Sequence, residues 1–307
     1  MKPVISANSQ TLASFLLKGA KKTKMVKLPE NFTFQGHRGA RGLLPENTIP
    51  SFLKCLSLGI HTMELDVVIS QDNQVVVSHE PWFNPQICSF PDGKPVTFNT
   101  AHQHIIYQMP YHAVVQFDCG KRGNPDFKRQ IPQPAVKPLL SEVIKIADEY
   151  AVENNLKMPV YNIEIKTENG TAGDGFYQPS PPLFVQLVNE IITRFDINNR
   201  VIVQSFDTRI VKELNNLKPD YPLSFLTASP RNFESQIKDL GFLPQIYAPH
   251  YSLVSKTLVN KVHQNGLKLI TWTVNTQALM IDLIEKGVDS IITDYPDLAA
   301  ELLQQFR

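Results

Sequence analysis

Carboxylates recur within apolar stretches of this 307-residue chain, at spacings that favour a shared site. Glu64 and Asp66 lie two residues apart in the apolar segment 60–69, so an extended strand would place both carboxylates on one face. Glu164 lies in another apolar segment, two residues before Lys166. Carboxylate oxygens are hard ligands, and they suit Mg²⁺ or Ca²⁺ better than zinc. The three carboxylates therefore predict one divalent-cation site.

Two histidines and an arginine occur at the ends of neighbouring apolar segments. His37 and Arg38 follow the segment 32–36, and His79 ends a valine-rich segment. Histidine exchanges protons near neutral pH, so this pair can act as general acid and general base. The planar guanidinium of Arg38 suits bidentate contact with a phosphate, to which Lys166 would add a point charge. Together with a cation, these groups indicate cleavage of a phosphodiester, because the main task there is to stabilise charge on phosphoryl oxygens.

The elements that must position these residues alternate between strand-like and helix-like segments. Eight segments are predicted as strands that each precede a helix: 32–36, 60–69, 160–166, 201–205, 222–226, 245–248, 267–273 and 288–293. Helices are predicted at 47–58, 139–153, 182–195, 208–217, 233–240, 255–264, 276–286 and 296–305. This pattern predicts a (β/α)8 TIM barrel, in which the carboxyl ends of the strands surround one mouth. On the pattern alone, a doubly wound open sheet is the alternative.

A hairpin is predicted to bring one histidine to the carboxylates. The segment 75–79 should return against the second strand, because β-branched residues lie on both sides of a polar turn. If that turn centres on Asp72-Asn73, Asp66 faces His79.

The segment 81–138 interrupts the alternation, since it carries nine prolines and shows no helical or strand period. It also holds eight aromatic residues, too many for a disordered linker. We expect an insertion subdomain over the barrel mouth, within a single catalytic domain at 31–307. Residues 1–30 are predicted to be a basic tail, with six lysines before the first acidic residue.

The overall composition excludes a general nucleic-acid binder, because the net charge is only +1. No stretch approaches the ~20 apolar residues of a membrane span, and contact of the basic tail with a membrane surface is a secondary interpretation. The order of charge and apolar residues is the reverse of a secretory signal, which slightly favours the cytoplasm and leaves export open. Of the three cysteines, buried free thiols are favoured, with a Cys88–Cys119 disulfide as the alternative.

Six blocks of this sequence resemble the glycerophosphodiester phosphodiesterase family. They are GHRGARGLLPENTIPSF (36–52), ELDVVISQDNQVVVSHE (64–80), NIEIK (162–166), QSFD (204–207), TWTVN (271–275) and TDYPD (293–297). The resemblance implies a (β/α)8 barrel and metal-dependent hydrolysis of a small glycerophosphodiester to an alcohol and sn-glycerol 3-phosphate. It also implies that the insertion takes part in substrate selection.

Carried over residue by residue, the resemblance implies a role for each matched position. The histidines His37 and His79 would be the catalytic acid and base, Glu64, Asp66 and Glu164 the metal ligands, and Arg38 and Lys166 the phosphate contacts. Trp272 is expected either to line the glycerol pocket or to be a core aromatic, and Gln204 is a further candidate. Asn47 is either a helix N-cap or, with Glu46, a contact of the site. The chain has His79-Glu80 where the family usually has His-Asp, so the role of that acid is left open.

Two other functions fit the same residues. The barrel and cation site also suit phospholipase D-like or lyase action on intact phospholipids, which the basic tail and the aromatic insertion would favour. A non-catalytic binder of phosphate or lipid headgroups is the third reading, and the complete set of acidic and histidine residues argues against it.

Overall fold

The computed structural model describes residues 28–29 and 31–305, so almost all of the predicted basic tail lies outside the described residues. Within these residues, no helix has the length and apolar character needed to span a membrane.

In the described part of the chain, nine strands form one sheet, and eight of them close into a parallel barrel. The strands are β1 (Thr33–Gly36), β2 (Thr62–Ile69), β3 (Val75–Val77), β4 (Val160–Ile165), β5 (Val201–Ser205), β6 (Leu223–Thr227), β7 (Ile246–Pro249), β8 (Lys268–Thr271) and β9 (Ser290–Thr293). Around the barrel the order is β1-β9-β8-β7-β6-β5-β4-β2, and β1 pairs with β2 to close it. The predicted TIM barrel is confirmed, and the open-sheet alternative is wrong.

Helices surround the barrel where the alternating pattern predicted them. They span Ile49–Ser57, Leu140–Glu153, Pro181–Arg194, Thr208–Leu217, Phe233–Leu240, Lys256–Gln264, Gln277–Lys286 and Pro296–Gln305. The insertion adds two short α-helices, Phe98–Ala101 and Tyr111–Val114, and a 3₁₀ turn at Ile106–Gln108. Each barrel strand is therefore followed by at least one helix, which is the arrangement of the fold.

The main hydrophobic core lies between the barrel and the helices. On β2, Leu65 and Val67 are fully buried in this core, together with Val143 and Ile144 of the following long helix. Because side chains alternate along a strand, Glu64 and Asp66 point the other way, into the barrel. The packing of the apolar residues thus fixes which face carries the carboxylates.

The hairpin between β2 and β3 forms, but its register differs by one residue from the prediction. Val67 pairs with Val77 and Ile69 with Val75, which places Asp66 opposite Ser78. The predicted Asp66–His79 pairing is wrong. Since β3 ends at Val77, His79 lies beyond the paired strand.

The reason for the shift is the length of the turn. The backbone N–H of Ser70 donates to the carbonyl of Gln74, so three residues, 71–73, form the loop instead of two. Asn73 takes the left-handed conformation with φ 58°, as is common in a three-residue hairpin loop. A change of one residue in loop length moves every pairing along the strand.

The insertion has its own hydrophobic cluster, which includes Phe83 stacked on Phe117. This cluster also contains Val68 and Val76 of the hairpin, so it packs on the barrel strands themselves. Asn124, Gln130 and Ile131 hydrogen-bond to the loop that follows β1. These contacts support the predicted position over the mouth, and the domain division stays a prediction.

Cys88 and Cys119 are joined by a disulfide within the insertion, so the expectation of free thiols is wrong for this pair. The neighbouring residues Ser89 and Asp118 exchange two backbone hydrogen bonds, and this local pairing brings the two cysteines together. Cys55 is the buried free thiol of the described chain.

Candidate active site

A pocket of about 230 Å³ lies at the carboxyl ends of the barrel strands. Eight of the nine residues predicted from the sequence line it: His37, Arg38, Glu64, His79, Glu164, Lys166, Gln204 and Trp272. Asp66 does not line the pocket, but it contacts the lining residue Arg38. A larger cavity of about 650 Å³ is lined by residues such as Thr33, Thr62 and Lys268 at the amino ends of the strands, and none of the nine lines it.

The three carboxylates converge because of strand register. Asp66 on β2 lies directly beside Glu164 on β4, and Glu64 is on the same face two residues earlier. One oxygen from each of Glu64, Asp66 and Glu164 lies within 4.8 Å of the others, and all three residues are buried. The Oδ1 atom of Asp66 has no hydrogen-bond partner among the described residues. A buried, unpartnered oxygen in an all-carboxylate set fits a hard divalent cation.

The electrostatics of the cluster also favour a cation. Burial raises the pKa of Glu64, and the nearby charges of Asp66 and Glu164 raise it further. Burial also pushes the pKa of Asp66 upward, but the positive charge of Arg38 outweighs it and the pKa lies well below the usual range. Like charges confined in one buried site repel one another, and a bound cation relieves that repulsion.

Arg38 is held in place by three acidic residues. Its backbone N–H donates to Oε2 of Glu64 at 3.0 Å, and Nη1 donates to Oε1 of Glu46 at 2.5 Å. Its Nε lies 3.1 Å from Oδ2 of Asp66. The backbone of Arg38 is left-handed, with φ 50°, and Gly39 follows at φ 85°. This turn directs both the N–H and the guanidinium of Arg38 at the site.

Lys166 lies across the cluster from Arg38. Its Nζ donates to Oε1 of Glu164 at 2.7 Å and lies 3.9 Å from Oδ1 of Asp66. Burial lowers the pKa of Lys166, but the charges of Glu164 and Asp66 outweigh it and raise the pKa overall. A charged ammonium group therefore lines the pocket beside the carboxylates.

His37 lies between Glu64 and an acidic residue from the last barrel strand. Its Nδ1 is 2.6 Å from Oδ1 of Asp294, and its Nε2 is 3.9 Å from Oε2 of Glu64. Asp294 is oriented by Asn275, whose Nδ2 donates to Oδ2 at 2.7 Å. Burial lowers the pKa of His37, and this effect exceeds the opposing influence of Asp294. Asp294 directly follows the last barrel strand, and its carboxylate contacts the Nδ1 edge of His37.

His79 faces the same pocket and is more open to solvent, with 32% of its side chain exposed. Its Nδ1 lies 3.0 Å from Oε1 of Glu80. Burial raises the pKa of Glu80, but the hydrogen bond and charge of His79 dominate and lower it to about 2. The longer Glu80 side chain, at the usual Asp position, therefore reaches the imidazole.

Asn47 is not the N-cap of the first helix. The helix begins at Ile49 with Thr48 in the cap position, and Asn47 is left-handed with φ 55°. Its Nδ2 donates to Oδ2 of Asp66 at 2.9 Å, so the contact with the site is the correct interpretation. An N-cap and a site contact give the same sequence pattern, a polar residue before a helix. The positive φ of Asn47 distinguishes the two.

The two remaining sequence candidates come from different strand ends, since Gln204 lies on β5 and Trp272 directly follows β8. Gln204 donates from Nε2 to Oε1 of Glu64 at 3.3 Å. Trp272 packs edge-on to Phe206, with ring centroids 5.2 Å apart, and its Nε1 donates to the carbonyl of Ala248. Trp272 thus lines the pocket and also packs against core residues. Both of the alternatives predicted for it therefore apply.

The sequence profile of the "Glycerophosphoryl diester phosphodiesterase family" matches residues 37–298, which include every candidate site residue. The chain belongs to this family. A glycerophosphodiester phosphodiesterase of Bacillus altitudinis is 26% identical over 276 residues, covering 88% of this chain and 98% of the relative.

Solved structures of similar proteins share the barrel. A Silicibacter pomeroyi protein assigned as a glycerophosphoryl diester phosphodiesterase superposes with a TM-score of 0.80 at 26% identity, covering 91% of this chain and 95% of that one. A phosphodiesterase of Oleispira antarctica, solved with the product sn-glycerol-3-phosphate, superposes with a TM-score of 0.68. It is 20% identical, with 90% of this chain and 97% of that one covered, and shows the fold alone.

Proposed function

We propose that this protein hydrolyses glycerophosphodiesters to an alcohol and sn-glycerol 3-phosphate. The observation that carries the proposal is the buried cluster of Glu64, Asp66 and Glu164 beside Arg38, in a pocket that two histidines line. Membership of the family supports the same activity, as does the name of the Bacillus altitudinis relative.

The metal ligands in this proposal are Glu64, Asp66 and Glu164, and the cation is Mg²⁺ or Ca²⁺. The choice follows from the donors, which are all carboxylate oxygens. When bound, the cation would supply positive charge to the phosphoryl oxygens as a Lewis acid.

Arg38 and Lys166 are proposed to bind the phosphate. Both side chains line the pocket and lie on the carboxylate cluster, so a phosphate held near the cluster would meet two fixed positive charges. Such preformed donors stabilise developing charge without rearranging during the reaction. Gln204 would support the site by orienting Glu64.

His37 and His79 are proposed as the acid–base pair. Since a carboxylate only accepts hydrogen bonds, Asp294 holds the proton of His37 on Nδ1 and leaves Nε2 as the atom that faces the site. One histidine would deprotonate the attacking oxygen and the other would protonate the leaving alcohol. We favour the glycerol 2-hydroxyl as nucleophile, giving a cyclic phosphate that water opens, because a tethered nucleophile avoids the entropic cost of a second reactant.

A second candidate function is cleavage of phospholipids on the same barrel. The observation that favours it is Phe206, which lines the pocket and remains 41% exposed. An exposed aromatic at the mouth would also accept an acyl chain.

The test compares two substrates with one enzyme. Purified protein, stripped of metal and reloaded with Mg²⁺ or Ca²⁺, is given glycerophosphocholine in one assay and phosphatidylcholine vesicles in the other. The proposal expects metal-dependent release of glycerol 3-phosphate from the first. Cleavage of the vesicle lipid alone would support the second function, and no product in either assay would reject both.

A further inference from the structure

Arg41 lines the same pocket, but it contacts none of the three clustered carboxylates. Its Nε donates to Oε2 of Glu46 at 2.7 Å, and its guanidinium carbon lies 4.6 Å from the ring centroid of Phe127. An aromatic face and a carboxylate therefore fix the plane of the guanidinium. The side chain is 21% exposed, so part of it remains accessible.

The terminal nitrogens of Arg41 are free to bind a ligand. Within the part of the chain that the structure describes, neither Nη atom forms a hydrogen bond, and Oδ1 of Asp294 lies 4.0 Å from Nη1. Arg38 differs, because Glu46 accepts from its Nη1 and Asp66 contacts its Nε. A fixed guanidinium whose N–H groups are unpaired can donate hydrogen bonds to an anion or a polar oxygen of a ligand.

The insertion holds Arg41 in this position. Phe127 belongs to the insertion, and Gln130 from the same segment donates to the backbone carbonyl of Arg41 at 2.7 Å. Asn124 also reaches Glu46, the carboxylate that orients the guanidinium, at 3.4 Å. Three insertion residues thus support Arg41: Phe127 at its side chain, Gln130 at its backbone and Asn124 through Glu46.

Arg41 contacts the carboxylate cluster less directly than Arg38 does. Both arginines bind Glu46, but only Arg38 also contacts Asp66. Asp294, whose Oδ1 lies 4.0 Å from Nη1 of Arg41, is on the Nδ1 edge of His37, whereas Glu64 is on the Nε2 edge. A substrate phosphate at the carboxylate cluster would therefore place another part of the substrate near Arg41. The glycerol moiety is uncharged, so only the alcohol moiety differs in charge between substrates.

We propose that Arg41 selects substrates by the charge of the alcohol moiety, favouring diesters with a carboxylate or a neutral polyol over those with a cationic alcohol such as choline. This inference rests on the proposed hydrolysis of glycerophosphodiesters. A guanidinium held in a partly buried pocket repels a quaternary ammonium group and donates hydrogen bonds to carboxylate or hydroxyl oxygens.

The test measures kcat/KM for glycerophosphocholine, glycerophosphoglycerol and glycerophosphoserine. The unmodified protein should prefer the glycerol and serine diesters to the choline diester. Arg41→Gln should reduce that preference by about tenfold, which corresponds to about 1.4 kcal/mol. Arg129→Gln is the matched control, because Arg129 is also an insertion-side arginine but pairs with Asp297 and does not line the pocket.

Two further variants separate charge from folding. Arg41→Lys keeps the positive charge but loses the paired N–H donors of the planar guanidinium. The variant should therefore still discriminate against the choline diester, while cleaving the serine diester less well. Phe127→Leu should lower the preference partially, because the guanidinium loses its aromatic support. Unfolding temperatures are measured for all variants, and Arg41→Lys carries the test if Arg41→Gln does not fold.

An equal fall in kcat/KM on all three substrates after Arg41→Gln would overturn the inference, since it would indicate a phosphate contact or a structural role. An unchanged substrate preference would overturn it as well. If the unmodified protein cleaves none of the three diesters, the proposed function itself fails. Turnover by the unmodified protein thus distinguishes the two failures.

Discussion

The Nδ1 atom of His37 lies 2.6 Å from Oδ1 of Asp294, and this pair joins the first and last strands of the barrel at the pocket. Asn275 fixes Asp294 from the other side, donating from Nδ2 to Oδ2 and accepting the Asp294 backbone N–H at 3.0 Å. The orientation of His37 is therefore set by residues that follow two other strands, β8 and β9.

Asp294→Asn tests the importance of that orientation. An amide can donate to Nδ1 and so favour the wrong tautomer of His37, with the proton on Nε2. We expect kcat to fall roughly 100-fold or more with a small change in KM, by analogy with other carboxylate–histidine pairs. Steady-state kinetics check this, and Asn275→Ala should give a smaller loss. An unchanged kcat in Asp294→Asn would contradict the positioning role.

His37→Ala and His79→Ala test the acid–base assignment. Each variant should lose activity by roughly 10²–10⁴-fold, the range typical of general acid–base catalysis. Circular dichroism should show a folded protein in both cases. His112→Ala, at an exposed position on a short insertion helix, is the control and should retain full activity. Activity within a few fold of the unmodified protein in either pocket variant would remove that histidine from the mechanism.

Glu64→Gln tests the cation site by a measurement that does not depend on turnover. In the metal-free protein the variant should be at least as stable, because it removes one of three mutually repelling buried carboxylates. The unmodified protein should gain about 2.7 kcal/mol of unfolding free energy when the cation is present at 100 times its dissociation constant. The variant should lose most of that gain. Equal stabilisation of both proteins by Mg²⁺ or Ca²⁺ would place the cation elsewhere.

The lowered pKa of Glu80 predicts that the protein loses unfolding free energy in acid. Burial raises its pKa, but His79 and nearby positive charges outweigh this, and the pKa is lowered from 4.5 to about 2. The ionised carboxylate therefore stabilises the fold above about pH 4.5, and this contribution is lost as the pH falls toward 2. Urea unfolding at pH 7 and pH 3 should show a smaller loss for Glu80→Gln, by on the order of 2 kcal/mol. An identical loss in both proteins would contradict the pKa shift.

Much of the fold could be predicted from the sequence, because the spacing of apolar residues within each short segment indicates a helix or a strand. Helix and strand positions follow apolar spacing, and all eight barrel strands lie where alternation placed them. The hairpin register was missed because it depends on one backbone conformation, the positive φ of Asn73, which changes the loop length from two residues to three. The Cys88–Cys119 disulfide was predicted only as the alternative to free thiols, because the pairing of Ser89 with Asp118 joins distant parts of an insertion with no period.

The site could be predicted where strand ends carry unusual polar residues. Glu64, Asp66 and Glu164 lie together because adjacent parallel strands share a register, which the period of two already implied. The contacts of Asp294 and Arg41 were not predicted, because they depend on how loops from different strands meet at the mouth. Asn47 was ambiguous, since capping and ligand support use the same side-chain amide.

Metal-dependent hydrolysis of a glycerophosphodiester is tested most directly with the metal-stripped protein. Release of glycerol 3-phosphate is measured before and after Mg²⁺ or Ca²⁺ is added. Parallel reactions use Asp66→Asn, whose buried Oδ1 lacks a hydrogen-bond partner among residues 31–305. We expect no product without metal, rapid release when the cation is restored, and little release by Asp66→Asn. Equal release by the metal-stripped protein in the presence of chelator would contradict this expectation.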